Sequence, residues 1–194
     1  MVVGSGGGYG AVLTSPNFYE GPTTISNAMV QARTDYALPT NTAVRLFGGQ
    51  DAVLYCYDFS SRHTTNLLSR IEGDGVIGYT EHLSVNGSVA PSCGGCLKFS
   101  GPCSFAGDFE IRGDADSCGF VKVDSGTQDL STLSLAVADM AAMRASHGPY
   151  VIFEGNYSGR FGVPDDFPSD KWIPRYRSGV VYLAPVDATV VVLR

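Results

Sequence analysis

Cys56, Cys93, Cys96, Cys103 and Cys118 are the side chains of this sequence with the most chemistry to offer. The stretch PSCGGCLKFSGPC puts two residues between Cys93 and Cys96, a gap that lets both thiolates reach one ion, and Cys103 with Cys118 would complete four ligands. No histidine lies near, and the later spacings match no familiar structural zinc site, so no bound metal is expected. Cys93-Gly94-Gly95-Cys96 would also suit a redox pair, but such pairs open a helix beside a βαβ unit, and no helical run follows here. Reduced, partly buried thiols or one or two disulfides stay open as readings. Disulfides would leave one cysteine over, with Cys56 in the core as the natural odd member.

The imidazoles are His63, His82 and His147. A serine nucleophile on a strand-to-helix elbow needs Gly-x-Ser-x-Gly. The nearest stretch, Gly155-Asn156-Tyr157-Ser158-Gly159, lacks that spacing. Cys96 or Cys103 with His82 or His147 as base is the one cysteine-hydrolase pairing on offer. The carboxylate pairs Asp165-Asp166 and Asp114/Asp116 read as solvated or calcium-tolerant loops. No Gly-x-x-x-x-Gly-Lys-Ser/Thr phosphate cradle is present. The sequence therefore reads as a non-enzyme without cofactor, with a small cysteine or serine hydrolase on a β scaffold as the alternative.

Recognition signals are more numerous. Arg112-Gly113-Asp114, in FEIRGDADSCG, would serve either as an integrin-type Arg–Asp display or simply as a Gly-Asp turn after a strand. Tyr157, Trp172 and Tyr176 fall in a loop-like stretch and are candidate partner contacts, because Tyr and Trp combine large area with a polar handle. Asn86-Gly87-Ser88 and Asn156-Tyr157-Ser158 are sequons, used only in a chain that crosses a secretory compartment.

The elements that must position these residues are mostly short β-type runs. Strands are expected at 10–15, 41–47, 51–59, 65–71, 75–79, 107–112, 118–123, 149–154, 180–184 and 188–193, with 41–47 and 51–59 joined as a hairpin through Gly48, Gly49 and Gln50. In DLSTLSLAVADMAAMR (129–144), Leu130, Leu133, Val137, Met140 and Ala141 recur at helical spacing, which predicts one helix. No repeat of fixed period is visible, and a single helix argues against serial βαβ units. The expected fold is mostly β: residues 1–9 a flexible lead, and 10–194 one β-sandwich or closed β-barrel with an accessory helix and long surface loops at 16–40, 84–106 and 155–176.

With 194 residues the chain suits one hydrophobic core. A net charge of −6 and only three lysines argue against nucleic acid, which attracts basic clusters. No apolar stretch is long enough for a membrane span, and MVVGSGGGYG is not a secretory signal. Charged residues at 16%, against about 25% in typical domains, suit a surface that recognises partners through neutral polar loops.

The neutral Gly/Ser/Tyr-rich β chain, DAVLYCYDF (51–59), the closing WIPRYRSGVVYLAPVDATVVVL (172–193) and the final Arg194 resemble the capsid spike domain of an astrovirus. That resemblance implies a β-rich homodimeric projection on the virion surface. It would attach to a host-cell glycan or protein receptor and be recognised by antibodies.

Overall fold

A computed structural model describes residues 1–4, 9–58, 60–140, 143–144 and 148–186. The chain coils as a parallel β-solenoid of about six turns, each turn laying one strand in each of two facing sheets. Sheet A holds β1 (Val2–Gly4), β3 (Thr23–Ser26), β5 (Thr42–Phe47), β7 (Asn66–Gly73), β9 (Leu83–Pro91), β12 (Gly107–Arg112) and β14 (Leu133–Asp139) in that spatial order, with β11 (Ser104–Phe105) also on β9. Sheet B runs from β2 (Tyr9–Leu13) through β4 (Met29–Ala32), β6 (Val53–Tyr55), β8 (Gly75–Gly78), β10 (Cys96–Phe99) and β13 (Phe120–Asp129) to β15 (Tyr150–Ser158). It ends with antiparallel β17 (Val180–Pro185) and β16 (Trp172–Arg177).

The core is built of columns rather than clusters. In sheet A, Thr23, Val44, Ile71, Val89, Phe109 and Leu135 stand in register on successive coils, all buried. In sheet B, Val30, Leu54, Ile77, Phe99 and Val123 do the same from the opposite side. Apolar residues alternating along each strand fill the space between the sheets, and the ladders between coils use the backbone donors and acceptors. The C-terminal end of the stack is closed. Gly162 bonds to the free edge of β14 through Leu135 N–H (2.8 Å) and Leu133 C=O (2.8 Å), and Phe161, Phe167 and Trp172 are buried there. At the other end β1 and β2 are edge strands, with Val2, Val12 and Phe18 exposed.

The outward face of sheet A carries an ion-pair network across the coils. Arg45 Nε meets Glu72 Oε1 at 2.6 Å, Arg70 Nε meets Glu72 Oε2 at 2.6 Å, and Arg70 grips Glu110 with both terminal nitrogens. Arg112 Nη2 reaches the same Glu110 at 2.8 Å, and Arg70 also donates to Ser88 Oγ at 2.6 Å. Burial pushes the Glu72 and Glu110 carboxyls up, but hydrogen bonds and charge from Arg70, Arg45 and Arg112 outweigh it and hold both below the ordinary 4.5. Because the folded values are lowered, this stabilisation is fully present above the unfolded value and disappears as pH falls through the folded one. Urea midpoints are thus expected to drop between about pH 5 and pH 3, and to drop less in Glu110→Gln over the same window.

Several sequence expectations are corrected. Neither a sandwich nor a closed barrel forms, because consecutive strands alternate between sheets and pair in parallel with the previous coil. The crossover that parallel pairing requires is supplied by a strand of the other sheet and needs no helix. Residues 129–144 contain strand β14 in place of the expected helix. Leu133 and Leu135 point inward while Ser134 and Ala136 are half-exposed, and Val137, which a helix would bury on the face of Leu133, is 47% exposed. Residues 41–47 and 51–59 form no hairpin, since the 3-10 turn Gly49–Asp51 carries the chain from sheet A to sheet B. The stretches 16–40, 84–106 and 155–176 contain β3, β4, parts of β9 and β15, β10, β11 and part of β16. Val2–Gly4 form the first strand, and the expected strand at 188–193 lies outside the described residues.

Candidate functional site

One corner of the solenoid, where sheet B turns towards the next coil, opens into a cleft of about 600 Å³. Tyr55 ends β6 and stands in register with Gly78, which ends β8. A Cβ on Gly78 would run into the Tyr55 ring, so glycine there lets the ring lie across the neighbouring coil. Tyr79 follows at φ 60, a left-handed conformation that costs a bulky residue roughly 1–2 kcal/mol. Its N–H donates to Ser100 Oγ (2.9 Å), which helps hold it.

An aromatic cluster results. The rings of Tyr57 and Tyr79 lie 4.5 Å apart, those of Tyr55 and Tyr79 5.9 Å, and those of His63 and Tyr79 5.4 Å. Arg33 lies 4.7 Å over the Tyr57 ring and donates to its hydroxyl at 3.2 Å, while Gln31 Oε1 accepts from the same guanidinium. His63 faces Tyr57 through a β-bridge closed by an Asp58 turn, in which Asp58 Oδ1 accepts from the N–H groups of Ser60 (2.8 Å) and Arg62 (2.9 Å). His63 Nδ1 is buried without a hydrogen bond, 3.6 Å from Glu81 Oε2. The far wall comes from later coils. Ser125 Oγ donates to Ser100 O (2.6 Å), and Thr80 Oγ1 donates to Gly101 O (2.8 Å). The β13–β15 register shifts between Lys122 and Thr127, taking Ser125 and Gly126 out of the ladder and into the cleft.

The residues singled out from the sequence lie elsewhere. Arg112 donates to Glu110, and Asp114 Oδ1 accepts from Asp116 N, Ser117 N and Ser117 Oγ at 2.8–3.0 Å, so both charged ends of Arg112-Gly113-Asp114 are engaged within the chain. Those bonds, led by the Asp116 N–H, lower the Asp114 carboxyl to about 2. Gly113 bridges to Cys118. Trp172 is 5% exposed against Tyr150. The Tyr176 hydroxyl accepts from Phe161 N (3.0 Å), and the Tyr157 hydroxyl donates to Arg177 O (2.6 Å). These three aromatics fasten the C-terminal closure to the core. Sequence reasoning missed Tyr55, Tyr57 and Tyr79 as a group. Glycine at 78 followed by tyrosine at 79 was the available signal, but it acquires meaning only once 55 and 78 are known to be neighbours.

All five cysteines are free thiols, and burial raises every one: Cys56 and Cys118 to about 12, Cys96 to about 11, Cys103 well above the usual range, and exposed Cys93 less. Protonated thiols are weak nucleophiles. Among the described residues no hydrogen bond joins His63 or His82 to a serine, threonine or cysteine, and no group of three His, Cys, Asp or Glu is placed to hold a metal; His147 lies outside them. The solenoid overturns the astrovirus-spike resemblance, and the virion and homodimer expectations drawn from it lose their support, as the barrel expectation does on the strand order itself. Comparison with known protein families, with curated proteins and with solved structures finds no match to this chain.

Proposed function

We propose that this solenoid binds a neutral saccharide in the corner cleft. The observation that carries the reading is Tyr79, held at positive φ among the rings of Tyr55, Tyr57 and His63, beside a wall of serine hydroxyls and bare backbone. Strained conformations of bulky residues concentrate at functional sites. A pyranose presents an apolar C–H face to a ring and a rim of hydroxyls to small polar groups, so a mixed tyrosine and serine lining matches both. Tyr79→Asn is the test, because asparagine tolerates the left-handed region. The variant is expected to stay folded by circular dichroism and to lose at least about tenfold in saccharide affinity by calorimetry, or about 1.4 kcal/mol. Unchanged affinity in the folded variant would refute the reading.

A second reading, hydrolysis in the same cleft, is favoured by the imidazole of His63 beside the carboxylate of Glu81. Ser100 and Ser125 are the serines lining that cleft, and the raised thiols argue against a cysteine version. Release of reducing sugar that is abolished in His63→Ala would favour it over binding alone.

A further inference from the structure

Resting on the saccharide reading, we infer that the ligand is an extended, β-1,4-linked chain lying along the solenoid axis, with about three sugar units in contact. The cleft is not the product of one loop. Its wall takes Tyr55 from the coil of β6, Gly78 and Tyr79 from that of β8, Ser100 from that of β10 and Ser125 from that of β13. Those strands are consecutive in sheet B, and Tyr55 with Gly78, Ile77 with Phe99, and Phe99 with Val123 are in register. The wall residues therefore recur at the strand spacing of about 4.8 Å, and three steps span about 14 Å. An extended β-1,4-linked pyranose chain advances by nearly the same distance per unit, so successive rings would meet successive coils in phase.

The lining is also polar in the directional sense. Tyr55 and Tyr79 stand on the two coils nearer the N-terminus, and Ser100 and Ser125 on the two nearer the C-terminus, with Thr80 on the coil of Tyr79 and Pro102 on that of Ser100. One end of the chain would stack on Tyr55 and Tyr79, and the other would exchange hydrogen bonds with Ser100 and Ser125. Between them Gly101 is buried, and its carbonyl accepts from Thr80 Oγ1 at 2.8 Å.

The experiment is a length series. Cello-, xylo- and chito-oligosaccharides of one to five units are titrated calorimetrically into the intact chain and into Ser125→Arg, which fills the C-terminal end of the cleft from an exposed position. Affinity is expected to climb severalfold with each added unit up to three and then level. Ser125→Arg should cost the trisaccharide about tenfold while leaving the monosaccharide, seated on the tyrosines, unchanged. Affinity that is independent of length, or a variant that weakens monosaccharide and trisaccharide equally, would overturn the axial placement and leave the saccharide reading standing. Absence of binding for every sugar, with the chain folded by circular dichroism, would overturn both.

Discussion

Phe109→Ala is expected to destabilise the solenoid by about 3–5 kcal/mol, the range for emptying a fully buried aromatic site. Phe109 is 1% exposed and sits in the sheet A column between Val89 and Leu135, and its ring centroid lies 5.1 Å from that of Phe161. Removing it takes packing from the coil before, the coil after and the C-terminal closure together. Neighbouring coils are held 4.8 Å apart or so by backbone ladders, so they cannot collapse into the space. Chemical denaturation read by far-ultraviolet circular dichroism should show the lower midpoint, and a loss below about 1 kcal/mol would mean that the site relaxes.

Gln128→Ala should cost about 2–4 kcal/mol through a different route. Gln128 is 2% exposed, and its side chain acts as a substitute peptide group. Its Oε1 accepts from Cys103 N (3.0 Å), and its Nε2 donates to Cys103 O (3.0 Å) and Asp129 O (3.1 Å). Alanine would leave both backbone groups of buried Cys103 without their partners, and each such loss runs to about 1–3 kcal/mol. Gln128→Met separates packing from hydrogen bonding, since it keeps most of the bulk and loses both the donor and the amide acceptor. Stability between wild type and alanine is the expected result, by thermal or urea unfolding.

How much of this was readable in the sequence depends on the range of the signal. The strands at 42–47, 66–73, 75–78 and 107–112 carried their own alternating or β-branched patterns, so they were legible alone. Thr23–Ser26 and Met29–Ala32 were not, because four-residue strands flanked by proline, serine and asparagine look like loop until a neighbouring coil supplies the ladder. In 129–144 two periodicities competed. The local LSLAV alternation prevailed because β12 on one side and Gly162 on the other satisfy its backbone. The repeat itself was hidden by unequal coils. The in-register residues Val44, Ile71, Val89, Phe109 and Leu135 are 27, 18, 20 and 26 positions apart. The cleft was illegible for the same reason, since Tyr55, Tyr79, Ser100 and Ser125 become neighbours only through that stacking.

Those unequal intervals have an architectural consequence. Rungs that stay matched while the chain between them varies in length separate the molecule into a fixed ruler and freely editable margins. A corner can be lengthened, shortened or given new side chains without moving any residue of the columns behind it. New recognition surfaces can thus be written on one edge of this fold while the frame that holds them keeps its dimensions.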